Sequence, residues 1–264
     1  MKILFIGDIV GKTGRETVFE ILPMIKEKYM IDVVIANAEN SAHGKGITEK
    51  IYNELIFNGI SIITMGNHTY AKNAIFDFID EADRLVVPYN KLKRLPGCGS
   101  RVFESKNKKI RVTNLLGTSF MSGFNSSPFE AMDSILESCT EDIHIIDFHA
   151  ETTSEKIALG YYLDGKVTAV LGTHTHVQTA DEKILPNGTA FICDVGMCGP
   201  YESVIGNAVE AIITRLTTGI YGKFEVAEGE GQFCGVVITV DEQTCKATSI
   251  ERILLNQDHP LHNK

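Results

Sequence analysis

Short β-branched runs alternate with amphipathic helical stretches through the first half of this chain. That alternation limits the fold more than any other feature. Lys2–Ile6, 32–36 and 60–65 read as strands. Between the first two, residues 14–29 set Val18, Ile21, Leu22 and Ile25 on one helical face. Residues 48–58 predict a second helix, with Thr48 as its N-cap and Gly59 ending it. A third helix is expected near 73–81. A βαβαβα succession implies a parallel sheet with helices on its faces, because parallel neighbours need a crossover.

The second half reads differently. Runs 85–88, 99–104 and 109–116 suggest shorter, more exposed strands joined by Pro/Gly turns. Helices are expected at 128–138, 154–162 and 207–217, and strands at 143–148, 167–171 and 189–194. Residues 232–241 and 245–255 look like a closing antiparallel pair. These strands follow one another in hairpin-like succession, so the expected fold is α/β: two packed mixed sheets flanked by helices. No repeat or linker interrupts the chain, so 1–264 reads as one domain with a loose polar tail at 256–264.

Composition removes several function classes. The 264 residues carry a net charge of −9 without a Lys/Arg cluster, which disfavours extended nucleic-acid binding. A small phosphate ester held by metal ions remains compatible. The six cysteines form no C-x-x-C pair and are read as reduced. The apolar run 3–6 is too short for a signal peptide, and no run has the length of a membrane span, so the cytoplasm is the default location. The composition is compatible with a homo-oligomer.

The predicted strand ends carry matching chemistry. Ligands of open α/β sheets bind beyond the carboxyl ends of the strands. Here those ends present Gly7-Asp8, Glu39-Asn40, Gly66-Asn67-His68, His149, and Gly172-Thr-His174-Thr-His176. The last pair shares a face if the strand continues, because side chains i and i+2 point the same way. Alone, each residue has a structural account. Asp8 could cap a helix, Asn67 could hold a turn and His149 could be a core histidine. Together, Asp8, Glu39, Asn40, Asn67, His149, His174 and His176 suffice for two metals about 3.5–4 Å apart with Glu39 as bridge. Imidazoles, carboxylates and amides without thiolate suit Fe, Mn or Zn better than Ca, Mg or Cu(I).

These motifs resemble those of the calcineurin-like metallophosphoesterases, and more narrowly the bacterial YmdB-type family. The resemblance extends to Gly7-Asp-Ile-Val-Gly11, Asn40-Ser-Ala-His-Gly-Lys-Gly46 and Phe148-His-Ala-Glu151. It implies a two-metal phosphodiesterase acting on 2′,3′-cyclic nucleotides, with iron as the metal and Mn or Zn compatible, and a signalling role. It also implies that His174 serves the metal shared with Asn67 and His149, and His176 the one shared with Asp8 and Asn40. The chain departs from the broader superfamily where Asp-x-His becomes Asp8-Ile9-Val10, and Asn40 is expected to fill that place. The bridge is Glu39 rather than Asp. Thr69 stands where an acidic residue often follows, which leaves the partner of His68 open.

Expected chemistry follows from this inventory. A hydroxide shared by the two metals attacks phosphorus, and His68 protonates the leaving oxygen as general acid. His43, in the 41–46 loop, could reach substrate. Tyr70, Phe120 and Phe124 are candidates for a base pocket, while Glu151, Thr152 and Thr153 read as helix caps. His144, His259 and His262 have no case for function. One rival is a P-loop NTPase at Gly7–Thr13, but three residues separate its glycines where the motif needs four. Another is a non-enzymatic metal or nucleotide sensor, against which an intact His68 argues.

Overall fold

The computed structural model describes residues 1–91, 95–220 and 225–260. In chain order its elements are β1 (Lys2–Ile6), β2 (Asp8–Ile9), α1 (Gly11–Tyr29), β3 (Val33–Asn37), α2 (Glu49–Phe57) and β4 (Ile62–Thr64). A 3-10 turn (Asn73–Asp77) leads to β5 (Leu85–Val86), β6 (Ser100–Ser105), β7 (Lys108–Leu116), α3 (Pro128–Leu136) and β8 (Ile143–His149). Then follow α4 (Thr153–Tyr162), β9 (Ala169–Thr173), β10 (Lys183–Ile184), β11 (Ala190–Ile192) and β12 (Met197–Pro200). The chain closes with α5 (Val209–Thr218), β13 (Gly231–Val240) and β14 (Ala247–Leu255).

Two mixed sheets form, as expected from the two halves of the chain together. The first runs β2-β12-β13-β1-β3-β4-β5, with β14 beside β13. The second runs β10-β11-β9-β8-β7-β6. In the first, β1, β3, β4 and β5 are parallel, and β13 is antiparallel to β1 and β14. The period-two alternation of the strands builds the layers. Ile3, Phe5 and Ile35 point between the sheets, where they meet Val112, Ile145 and Leu171. Leu4, Ile6 and Val34 point outward to Val18, Leu22 and Ile25 of α1 and Leu55 of α2. On the other sheet, Ile146, Phe148 and Val170 pack against Met132 and Ile135 of α3 and Leu159 of α4. Strands covered on both faces read as continuous apolar runs, as these do.

Three local expectations change. The second half is not a series of hairpins: β7, β8, β9 and β11 are parallel, with antiparallel partners only at the edges β6 and β10. α3 and α4 are the crossovers that permit this. β7 is not an exposed strand, since it is buried from Val112 to Leu116. Its polar residues hid that: Thr113 Oγ1 bonds His144 Nε2 at 2.9 Å, and the Asn114 amide donates to the Asp147 carbonyl at 3.3 Å. The helix expected near 73–81 is only a five-residue 3-10 turn.

The ends of elements also sharpen. Thr48 does cap α2, its hydroxyl accepting from Ile51 N–H at 3.4 Å. α1 begins at Gly11 and continues through Pro23. Residues 256–260 form a turn in which Asn256 Oδ1 accepts from Asp258 and His259 N–H, and Tyr201 donates to Asp258 at 2.6 Å. The rest of the segment expected to be loose, 261–264 with His262, lies outside the described residues. No described helix is long and apolar enough to cross a membrane.

Candidate metal centre

Two sheets packed face to face bring their carboxyl strand ends to one edge of the sandwich. Asp8 opens β2, Glu39 and Asn40 follow β3, and Asn67 and His68 follow β4. His149 ends β8, and His174 and His176 follow β9. The 38–46 loop is pinned to α1 by Arg15, whose guanidinium donates to the Gly11 and Ser41 carbonyls and pairs with Glu54. Gly66 is required at its position. A Cβ there would meet Glu39 Oε2 and sit 2.6 Å from His149 Nε2.

The seven side chains fall into two groups that share Glu39. In the first, His149 Nε2 lies 3.0 Å from each of Glu39 Oε1, Asn67 Oδ1 and His174 Nδ1. In the second, His176 Nε2 lies 3.1 Å from Asn40 Nδ2 and 3.9 Å from Asp8 Oδ1, and Asn40 Nδ2 lies 3.4 Å from Glu39 Oε1. The Asn40 amide thus turns its nitrogen inward. Coordination through oxygen needs half a turn about its last bond.

Charge inside the first group is unusual. Burial opposes a proton on His149, yet the carboxylates of Glu39, Asp8 and Asp147 outweigh it and push the imidazole up to about 9. Burial likewise opposes the charge of Glu39, but His149 and His68 draw its carboxyl down to about 2. His174 is driven the other way, to about 3, by burial and by the neighbouring His149 charge. One His149 Nε2 proton therefore serves three acceptors. Asp8 is fully buried, and its Oδ1 has no hydrogen-bond partner. Burial raises the Asp8 pKa against the pull of His176 and His149. Lone pairs crowded around one proton, beside an orphaned carboxylate oxygen, are the pattern of a cation site. Among the described residues, Glu39, His149 and His174 each present a ligand atom, all within 4.8 Å of one another.

Each imidazole is oriented from outside this cluster. Thr173 Oγ1 donates to Asp147 Oδ1 at 2.6 Å and so accepts from His149 Nδ1–H at 2.9 Å. Asn37 donates to Asp147 Oδ2 at 2.9 Å, while its own Oδ1 accepts from Glu39 N–H at 3.1 Å. His176 Nδ1–H donates to the Ile205 carbonyl at 2.9 Å, and His174 Nε2–H to Glu151 Oε2 at 2.9 Å. These partners leave His149 Nε2, His174 Nδ1 and His176 Nε2 facing inward.

Sequence spacing missed this supporting set, although a signal was present. Asn37 and Asp147 lie two residues before Glu39 and His149, and Asp147 shares a face of β8 with His149. The i, i+2 argument for His174 and His176 fails in detail. β9 stops at Thr173, and both histidines have positive φ, 102° and 67°. Their convergence comes from the turn, which is tied down at His174 N–H by Asp8 Oδ2 and at Thr175 N–H by Asp194 Oδ2. Glu151 is not a helix cap but the partner of His174. Thr152 occupies the N-cap position of α4 without a side-chain cap bond.

His68, His43, Lys45, Lys72, Glu151, His174, Thr175 and His176 line one cavity of about 590 Å³. The His68 backbone N–H donates to Glu39 Oε2 at 2.8 Å. Its ring has no hydrogen-bond partner among the described residues. Thr69 does not supply one, because its hydroxyl closes a turn on the Gly66 carbonyl. None of Tyr70, Phe120 and Phe124 lines this cavity. Tyr70 stacks on Phe76, while Phe120 and Phe124 are 92% and 84% exposed. Lys12 pairs with Glu16 on the surface, and Asp8 turns away from it into the histidines.

A two-sheet α/β sandwich whose strand ends gather carboxylates, amides and imidazoles is the architecture of the calcineurin-like phosphoesterases. The chain belongs to the YmdB-like protein family, whose sequence profile matches residues 4–253. It is 52% identical over 260 residues to the 2′,3′-cyclic-nucleotide 2′-phosphodiesterase of Bacillus subtilis, covering 98% of both chains. Its fold matches the crystal structure of a phosphatase from Mycoplasma pneumoniae with a TM-score of 0.93 and 44% identity, over 97% of this chain and 93% of that one. A 5′-nucleotidase precursor from Thermus thermophilus, 11% identical, shares the fold alone, with a TM-score of 0.59 over 97% of this chain and 54% of that one.

Proposed function

We propose that this protein is a metal-dependent phosphodiesterase that opens 2′,3′-cyclic nucleotides, working as a single domain around one core shared by both sheets. The observation that carries the reading is the inward set of His149 Nε2, His174 Nδ1, Glu39 Oε1 and Asn67 Oδ1, crowded about one proton beside the unpartnered Asp8 Oδ1. Asp8, Asn40 and His176 would hold one ion, Asn67, His149 and His174 a second, with Glu39 between them. The donor set favours iron, manganese or zinc. Bound there, such ions supply a nucleophilic water at neutral pH and offset charge on the phosphoryl oxygens.

The chain's own residues do the rest. His68, on the cavity wall, donates a proton to the ribose oxygen that leaves phosphorus. Burial holds its pKa below the ordinary value, and the nearby Lys45 charge adds to this. An anionic diester beside the ring opposes that shift, so His68 gains its proton as substrate arrives. The likeness to the Bacillus subtilis 2′,3′-cyclic-nucleotide 2′-phosphodiesterase supports the substrate class.

The test is metal analysis of anaerobically purified protein, followed by assays on 2′,3′-cyclic and 3′,5′-cyclic nucleotides and simple monoesters. About two ions per chain and faster 2′,3′-cyclic turnover are expected. His68→Ala should lower kcat by about 10²–10⁴ with metal content unchanged. A fully loaded protein that hydrolyses no phosphate ester would overturn the reading.

A further inference from the structure

We propose that Lys45 and Lys72 form an anion subsite, and that it selects nucleoside 2′,3′-cyclic phosphates carrying a phosphoryl group on the ribose 5′-oxygen. The inference rests on the phosphodiesterase reading above and deepens it by naming the substrate class.

Both lysines line the cavity that holds His68, His174 and His176. They belong to one wall. Lys45 adjoins Gly46, and a Cβ on Gly46 would sit 2.8 Å from Lys72 Cγ, so the half-buried Lys72 stem packs on the 41–46 loop. Gly46 has φ +76°, which glycine tolerates best, so the residue permits both the turn and the close approach.

Among the described residues no ion pair inside the cavity engages these cations. Its two carboxylates are engaged elsewhere, Glu39 with His149 and the His68 N–H, and Glu151 with His174. Neither Lys45 nor Lys72 has an ion-pair partner among the described residues. Two lysines without an ion-pair partner among the described residues, both lining one cavity, stand out in a chain of net charge −9.

Charge counting on the substrate gives the ligand. A cyclic phosphodiester carries a single negative charge, and the floor of the cavity is already equipped to take it. Further cations on the wall match a second anionic group on the same molecule. On a ribose whose 2′ and 3′ oxygens are joined through phosphorus, the 5′-oxygen is the remaining position for a phosphate, across the sugar ring from the reacting atom. That phosphate is either a terminal monoester or the internucleotide link of an oligoribonucleotide with a cyclic end.

The experiment compares three substrates with the metal-loaded enzyme: adenosine 2′,3′-cyclic phosphate, its 5′-phosphorylated form, and the dinucleotide with a 2′,3′-cyclic end. We expect kcat/KM about tenfold higher for at least one 5′-substituted substrate, the size two exposed charge contacts give. Which arm gains identifies the monoester or the internucleotide link. The gain should shrink in high salt, because exposed charge contacts are screened. In the Lys45→Ala/Lys72→Ala variant the ratio should fall to about one. Calorimetry offers a readout without turnover: adenosine 3′,5′-bisphosphate should bind about tenfold tighter than adenosine 3′-phosphate, and the variant should lose the difference. Equal rates on all three substrates, or a preference that survives the double substitution, would overturn the subsite while leaving the phosphodiesterase reading intact. No hydrolysis of any of the three would remove both.

Discussion

Glu151 Oε2 stands 2.9 Å from His174 Nε2, on the opposite edge of the ring from the Nδ1 that meets His149 at 3.0 Å. A carboxylate behind an imidazole fixes its tautomer and raises its basicity as a ligand. Glu151→Ala should therefore weaken metal retention by about tenfold, the lower end of the usual range because Glu151 is half exposed. Glu151→Gln keeps an oxygen acceptor and should lose less. Metal content after dialysis against graded chelator reads both. Equal retention by wild type and Glu151→Ala would show that His174 needs no partner.

Asp8 illustrates the opposite bargain. Its Oδ1 is buried without a partner, and burial outweighs the attraction of His176 and His149. Asp8→Asn removes the buried charge and leaves an oxygen to accept from His174 N–H. In chelator, the variant should be more stable than wild type by about 1–2 kcal/mol in urea melts. With metal present the order should reverse, because the charged carboxylate of the wild type binds the ion more tightly than a neutral amide does. A variant that is less stable in chelator would mean that Asp8 contributes to the metal-free fold.

The sequence made the sheet-forming half of this molecule legible because its strands alternate with helices of clear period. It also exposed the residues of the site, since loops after parallel strands converge on one edge. What stayed hidden depended on pairing across distance. The parallel order of β7, β8 and β9 looked like hairpins because Thr113, Asn114 and His144 gave buried strands a polar, surface-like pattern. Glu151 passed for a helix cap because it precedes α4, and only the approach of the 174–176 turn reveals its partner. Nothing in the sequence marks Lys156, a lysine within α4, yet it is buried against Asp194.

That last pair links the outer helix to the site. Lys156 Nζ meets Asp194 Oδ2 at 2.8 Å, and the same oxygen accepts from Thr175 N–H at 3.0 Å. Lys156→Met leaves a buried carboxylate without its countercharge and should cost about 3–5 kcal/mol. Lys156→Met/Asp194→Asn removes the charge along with its partner and should cost less than the single change. Both should lower metal content, because Asp194 holds the turn between His174 and His176. Urea denaturation in chelator, with metal analysis alongside, measures the two effects separately.

His144 gives the fold a pH dependence that is independent of the site. Burial, with Arg111 adding to it, drives its pKa from 6.5 to about 3, although Glu141 pulls the other way. In the unfolded chain the ring takes a proton near its ordinary value, whereas in the folded state it stays neutral down to about pH 3. Between these values the unfolded state binds more protons, so stability is full above pH 6.5 and falls as the pH drops toward 3. At pH 5 the loss should be about 2 kcal/mol, from a gap of roughly 1.5 pH units. His144→Gln can keep a hydrogen bond to Thr113 but cannot take a proton. Its stability should fall less between pH 7 and pH 5, by about those 2 kcal/mol. The raised pKa of Asp147, about 6, acts in the opposite sense, but it is present in both proteins and cancels in the comparison. Urea melts in chelator at pH 7, 6 and 5 give the difference directly. Parallel pH profiles for the two proteins would show that the folded core admits the His144 proton after all.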